Sequence, residues 1–437
     1  MEFEVSKITR SGLRTWASTA RAPAGRVPAG RQSKLPFKLG VLAALALAAA
    51  STGVVVPALR ALVDQAGLGP AAAGLFMSVH VIGGIAGAAW GKRALRLAGS
   101  ARMLAIAALI ASVAVTLAIA AVDSFAIRLG LRIVDGACHL LAITALVAAG
   151  TAGDPELRVR RAVALGIAIV LGVVGGLGIG AALGAPDRAL IFAALLSAGA
   201  LGTAIAFVAG EPVAPEPMAA APAGLAAGRG LDRRRFAAGL LAFGERFLFG
   251  ILTVTASYLA SQARVGLVLG VFMIASVIAM PLARRHAAAV GPRKLAVRGT
   301  LGLTLALVVA AFVDVFGSPG VAVVWAIGCG AAAGALYATA LVLVARSAAL
   351  EDRARDMATV QAAGSAGHAL GTLGAGVFAA ALPGTLAFAV PGIAMILAAT
   401  LGVWLTVPDA ARDCPVIGGL ASLGAVAPPK LGAKLGS

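Results

Sequence analysis

Charge is scarce in this chain, and that scarcity decides its class. Only 12% of the 437 residues are charged, while 60% are apolar and the mean hydropathy is +0.97. A soluble fold of this length needs far more polar surface, so its apolar faces must meet lipid. Acid is scarcer than base: 18 Asp and Glu stand against 36 Lys and Arg, for a net charge of +18. Such an excess could serve nucleic acid, but the bases sit in short gaps between apolar segments. That is the pattern of membrane topology, so nucleic-acid binding is set aside. Aromatics are few, at 5%. Polar–apolar alternation is lacking: the segments are continuously apolar for about twenty residues, which argues for helices and against a barrel. There are three cysteines. Cys138 and Cys329 fall in apolar segments and Cys414 in the tail, with no metal-ligand spacing among them. They read as small buried thiols, and neither metal nor cofactor is expected. No phosphate-cradling Gly-x-x-x-x-Gly-Lys-Ser/Thr loop and no His-Glu-x-x-His occurs, which speaks against ATP hydrolysis by this chain and against an intramembrane enzyme.

What the chain does have is length without charge. Twelve spans are predicted, at 39–63, 71–90, 103–121, 125–150, 162–183, 190–209, 236–259, 265–283, 297–315, 321–345, 357–381 and 385–407. Each suffices to cross a hydrocarbon core of about 30 Å at 1.5 Å per residue. The first 38 residues, the loops at 91–102, 151–161, 229–235, 284–298 and 346–356, and the tail hold 30 of the 36 bases. The opposite loops hold Asp64, Asp123, Asp187, Arg188, Arg264 and Asp314 and little else. The positive-inside rule then puts both termini in the cytoplasm of a cell-membrane protein, and an even number of spans follows. Residues 1–38, Arg-rich with Pro23 and Pro28, are expected to be a disordered cytoplasmic arm. Glu2, Glu4 and the lack of a short apolar stretch with a cleavage site argue against a targeting peptide. Residues 210–235, rich in Pro, Ala and Gly and ending in Asp232-Arg233-Arg234-Arg235, read as a linker between six-helix bundles at 39–209 and 236–407. Residues 408–437 form a cytoplasmic tail.

The halves repeat. Lys92-Arg93 and Gly99 recur as Arg284-Arg285 and Gly291, a shift of 192. Glu156-Leu157-Arg158-Val159-Arg160 recurs as Glu351-Asp352-Arg353-Ala354-Arg355, a shift of 195 that also carries Gly172 and Gly176 onto Gly367 and Gly371. Matches at three places with nearly one offset indicate a duplicated unit, with a binding site between the halves near the midplane. Small residues let membrane helices approach closely, and Gly172, Gly176, Gly180 and Gly184 form a ladder at spacing four, a packing signal.

Two six-helix halves with short basic loops after spans two and eight resemble the major facilitator superfamily. Arg132-Ile133-Val134-Asp135-Gly136 in span four resembles its motif of Arg, two apolar residues, a polar residue and Gly. The glycines of span five resemble its Gly-rich fifth helix. The sequence also departs from the pattern: no acid occurs between Gly83 and Arg102, where the family's loop carries an Asp, and Gly175-Gly176 stands where many exporters have Gly-Pro. The resemblance implies an all-α membrane protein of two pseudo-symmetric bundles that moves a small molecule by alternating access. It also implies that spans one, four, seven and ten line the cavity.

Several polar residues lie inside spans. Arg128, Arg132, Asp135 and His139, at spacings of four, three and four, share one face of span four. A charge at the bilayer centre costs roughly 2.5–3.5 kcal/mol even on the gentle insertion scale, so the stripe should face a cavity or a partner helix. The lesser alternative is a salt bridge between Arg132 and Asp135 that only locks packing. Span seven carries Glu245 and Arg246, about 100° apart on a helix and so expected to point differently. Pairing of Arg128 or Arg132 with Glu245 across the halves is one expectation, with proton binding at Asp135 or Glu245 as the switch. His80 and His368 read as helix contacts, and His139 as part of the stripe. Gln361, Ser365, His368 and Thr372 share a surface of span eleven. Ser51, Thr52, Trp325 and Tyr337 are weaker candidates for the cavity wall, and Trp325 could equally be an interfacial anchor. Arg128, Arg132 and Arg246 against Asp135 and Glu245 leave a slight positive excess, which leans toward an anionic or zwitterionic substrate. The reading is a monomeric, proton-coupled secondary transporter; the alternative is a transporter-like receptor or assembly factor without flux.

Overall fold

A computed structural model describes residues 34–151, 155–208, 233–345 and 350–406. The arm, linker and tail anticipated at 1–38, 210–235 and 408–437 lie outside these residues, except for 34–38 and 233–235, which are helical. Thirteen helices are present among the described residues. They are α1 (Lys34–Val55), α2 (Leu59–Gln65), α3 (Pro70–Ala98), α4 (Ala101–Ala121), α5 (Phe125–Thr151), α6 (Pro155–Leu183), α7 (Pro186–Val208), α8 (Arg233–Leu259), α9 (Gln262–Val290), α10 (Pro292–Phe312), α11 (Pro319–Ala345), α12 (Leu350–Ala381) and α13 (Leu386–Thr406).

Span one is the bent pair α1 and α2, whose axes meet at 48°. Pro57 sits at the break and has no N–H to continue the helical ladder. Ten other helices are long and apolar enough to cross a membrane, and the bent pair makes eleven. The twelfth, α12, is too polar for that measure; it carries Glu351, Asp352, Arg353, Arg355 and Asp356 in its first turns and Gln361 and His368 further in. It packs against α8 and α3 and so finds protein where the other helices find lipid. Helices also overrun the predicted spans. α3 continues to Ala98 through Arg93 and Arg96 and stops at Gly99, whose φ of 73° is a left-handed helix end. Hydropathy marks the length in contact with lipid; the backbone stays helical until something terminates it.

The duplication is visible in the packing. α1 packs on α6 and α7 as α8 packs on α12 and α13. α3 packs on α5 as α9 packs on α11, and α4 packs on α5 and α7 as α10 packs on α11 and α13. The halves meet where α3 lies on α12 and α6 on α9, two contacts that the same symmetry exchanges.

Glycine makes these contacts close. A Cβ on Gly172, Gly176 or Gly180 would strike the backbone of Ala46, Ala50 or Val54 on α1. One on Gly367 or Gly371 would strike Phe243 or Phe247 on α8. Gly184 departs from the expected ladder: it lies past the end of α6 with φ at 70° and turns the chain. Loop demand, not helix approach, accounts for that glycine.

The contacts between halves gather at one end. Define the basic end as the one carrying the loops at 91–102 and 284–298, and the far end as the other. Gly74 meets the Thr372 backbone, Gly376 meets Ala71, and Gly266 meets Leu177. Ser78 Oγ donates to the Ala369 carbonyl (2.9 Å) and shares a 2.8 Å hydrogen bond with Thr372 Oγ1. Arg60 Nη1 donates to the Tyr258 carbonyl at 3.2 Å. All of these lie in the far-end parts of their helices. One apolar core joins Val54, Leu59, Phe76 and Leu177 to Leu252, Val265 and Phe272 of the other half. Toward the basic end the N-terminal half has a separate core, including Leu45, Leu109 and Leu146, with no residue of its partner half.

Candidate functional site

The predicted stripe on α5 becomes a buried cluster within the N-terminal half. Arg132 and Asp135 are one helical turn apart, and Arg132 Nη1 donates to Asp135 Oδ2 at 2.5 Å. Both side chains are almost wholly buried, at 3% and 5% exposed. Asp135 Oδ1 accepts from Ser112 Oγ (3.0 Å) and Thr116 Oγ1 (3.2 Å), both on α4. His80 Nδ1 of α3 lies 3.3 Å from Oδ2, without hydrogen-bond geometry. The His80 and His139 rings are 5.5 Å apart, and His139 Nε2 shares a 3.0 Å hydrogen bond with Thr52 Oγ1 of α1. Arg132 lies over the Phe76 ring at 5.2 Å. Its Nε and Nη2 are buried without a hydrogen-bond partner. Three helices, α3, α4 and α5, therefore converge on one carboxylate, and α1 joins through His139. They come so close because Gly83 and Gly136 let α3 and α5 touch backbone to backbone at Ile133 and His80.

Arg128 is not in the cluster. Its Nε donates to the Val122 carbonyl at 2.5 Å, which caps the end of α4. That carbonyl has no partner within its own helix, and a long cation at the start of the next helix reaches it. Nor does either arginine meet Glu245: among the described residues, no ion pair joins α5 to α8. Asp135 neutralises Arg132 one turn away, while Arg128 is turned to the far-end loop.

Glu245 and Arg246 pair with each other instead, with Nε 3.2 Å from Oε2. Neighbours about 100° apart on a helix were expected to diverge, but the arginine stem is long enough to fold back. The two ends of this pair live in different places. Glu245 is 5% exposed and its Oε2 has no hydrogen-bond partner, whereas Arg246 is 38% exposed. Arg246 lies 5.4 Å over the Tyr337 ring of α11, and the Tyr337 hydroxyl accepts from Gln361 Nε2 of α12 at 2.9 Å. An arginine, a tyrosine and an amide thus form a polar wall in the C-terminal half. His368 stacks on Phe249 at 5.6 Å, and Thr372 joins the interface through Ser78. Ser51 bonds its own helix at Ala48. Trp325 is neither wall nor interfacial anchor; it is buried, donates to the Ala306 carbonyl at 2.8 Å and packs against Phe316 and Phe388.

Sequence reasoning missed Ser112 and Thr116 and undervalued His80. No pattern within α4 marks two hydroxyls as partners of a carboxylate on another helix, and only the fold supplies that pairing.

The class these features define is a multi-pass membrane protein of two symmetry-related helix bundles, with ionisable groups buried inside both. Residues 235–424 match the sequence model of the Major Facilitator Superfamily. No curated protein matches the chain. Solved structures share its fold across both halves. The xylose transporter XylE from E. coli, in a partially occluded inward open conformation, is 16% identical, with 85% of this chain and 97% of that one covered at a TM-score of 0.67. The nucleoside transporter NupG is 13% identical, covering 84% and 98% at 0.65. The human organic anion transporter MFSD10 (TETRAN) is 19% identical, covering 84% and 99% at 0.60. The C-terminal half thus carries the family's sequence signature, and the whole bundle shares the fold of these solved transporters. Family and fold support membrane transport and point away from an enzyme.

Proposed function

We propose that the chain is a secondary active transporter that works by alternating access and couples an anionic or zwitterionic small molecule to protons. One observation carries this: the Arg246 side chain is 38% exposed while the carboxylate it neutralises is buried. An arriving anion and Glu245 compete for one guanidinium. When the anion wins, Glu245 is left buried without its cation, and protonation relieves a charge that is costly in an apolar setting. Anion and proton binding then favour each other, which is the reciprocity that coupling requires. Tyr337 and Gln361 complete the subsite with a ring under the guanidinium and a hydrogen-bonding edge.

The Arg132–Asp135 cluster serves a different end in this reading. Asp135 already has three donors, on α4 and on its own helix, so it holds α4 and α5 together as the N-terminal half moves. The halves, 39–209 and 236–407, rock as bodies about a midplane site, with 210–235 as linker. Far-end closure supports an arrangement open toward the basic end, and the asymmetry of base supports placing that end, with both termini, in the cytoplasm. The protein acts as a monomer.

The test is Glu245→Gln in proteoliposomes. A ligand-stability screen first finds the substrate, since a true ligand raises the melting temperature by mass action. Glu245→Gln should then abolish accumulation driven by a pH gradient and spare substrate exchange. Unchanged proton coupling overturns the assignment, and absence of any flux in the wild type overturns transport itself.

A further inference from the structure

Residues 284–298 contain five Lys or Arg and no Asp or Glu. Three of those bases gather at one place. α10 opens at Gly291 and Pro292, and Arg293, Lys294 and Arg298 lie on its first two turns. Trp404, on the last turn of α13, stands beside them. Together with Val297 they line an open cavity of about 380 Å³ at the basic end. The Arg293 guanidinium lies 4.6 Å above the Trp404 ring, and Arg298 contacts His286 Nε2 of α9. Among the described residues no carboxylate pairs with Lys294 or Arg298. Trp404 and Val297 are 55% and 37% exposed, and Val297 is one turn deeper along α10 than Arg293.

Comparison with the other half shows that this pocket is particular to its site. A shift of 192 residues puts Ala101, Arg102 and Ile106 where Arg293, Lys294 and Arg298 stand, so two of the three bases have no counterpart. The start of α4 is also closed by its own sequence, because Ser100 accepts a hydrogen bond from the Met103 N–H at 3.2 Å. The start of α10 has no side-chain cap. Its first N–H groups and positive dipole end therefore lie beside Lys294 and Arg298, with which no carboxylate pairs among the described residues.

We propose that this pocket holds the phosphate of an anionic phospholipid headgroup. The bases and the N-terminus of α10 take the phosphate, and the lipid's glycerol and upper acyl chain lie along Val297 and Trp404. A soluble anion would use the bases alone. The exposed apolar wall one turn deeper, at the level where tryptophan marks the membrane interface, favours a ligand with a hydrocarbon part. Such a lipid ties α10 to α13 within the C-terminal half. The assignment is independent of the transport reading.

Native mass spectrometry of the full chain in detergent tests it, with phosphatidylglycerol, phosphatidylcholine and inorganic phosphate as probes. Phosphatidylglycerol should bind and phosphatidylcholine should bind far less. Lys294→Gln with Arg298→Gln, two exposed positions, should weaken phosphatidylglycerol binding about thirtyfold, at about a tenfold loss per 1.4 kcal/mol and about 1 kcal/mol per charge. Arg93→Gln, in the corresponding loop of the other half, should leave it unchanged. Trp404→Leu should weaken binding without removing charge. Equal binding of the two lipids, or wild-type affinity in the double variant, overturns the proposal. So does inorganic phosphate displacing phosphatidylglycerol at equal concentration, which would make the ligand a soluble anion.

Discussion

Replacing Asp135 by Asn asks whether the cluster on α5 is a structural lock. The two side chains have the same shape, and an Asn Oδ1 would still accept from Ser112 and Thr116, which now donate at 3.0 and 3.2 Å. What is lost is the charge facing Arg132, whose side chain is 3% exposed and cannot reach water without repacking. Breaking a buried pair by removing one partner costs about 3–5 kcal/mol, and because the hydroxyl contacts survive, about 3 kcal/mol is expected here. Removing both charges should be far milder, since a buried pair replaced as a unit is often neutral. Arg132→Met with Asp135→Asn should therefore regain about 2 kcal/mol over Asp135→Asn alone, most of the loss. Reversible unfolding in mixed dodecylmaltoside–SDS micelles, followed by tryptophan fluorescence, measures all three proteins. An Asp135→Asn variant as stable as the wild type would refute the lock. A double variant no more stable than the single one would show that the cost is not that of an orphaned cation.

Other outcomes follow from the same geometry. Gly176→Ala would push a methyl group into the Ala50 backbone, whereas Gly175→Ala meets nothing within 4 Å. The first should cost about 1–3 kcal/mol by overpacking and the second none, in the same unfolding assay; equal effects would refute close α1–α6 packing as the reason for the ladder. Ser78→Cys with Thr372→Cys places two thiols where hydroxyl oxygens lie 2.8 Å apart across the halves. Oxidation should form a disulfide, hold the far end closed and stop transport until a reductant is added; continued flux in the cross-linked protein would refute far-end opening as part of the cycle.

Composition and periodicity determined much of this protein. Apolar runs of fixed length must be helices in lipid, because only a helix satisfies its own backbone there, and the 192–195 residue shift made the halves legible as copies. The helix-face rule likewise placed Arg132, Asp135 and His139 together, since spacing alone fixes which residues of one helix can meet. Spacing says nothing about what stands opposite. That Asp135 takes Ser112 and Thr116, that Arg128 caps α4, and that Glu245 keeps Arg246 when an arginine of α5 was expected are facts of which helices are neighbours. A helix with two polar groups reads alike whether a partner or a cavity faces it. Only the packed bundle distinguishes Glu245, which is buried, from Arg246, which is more than a third exposed.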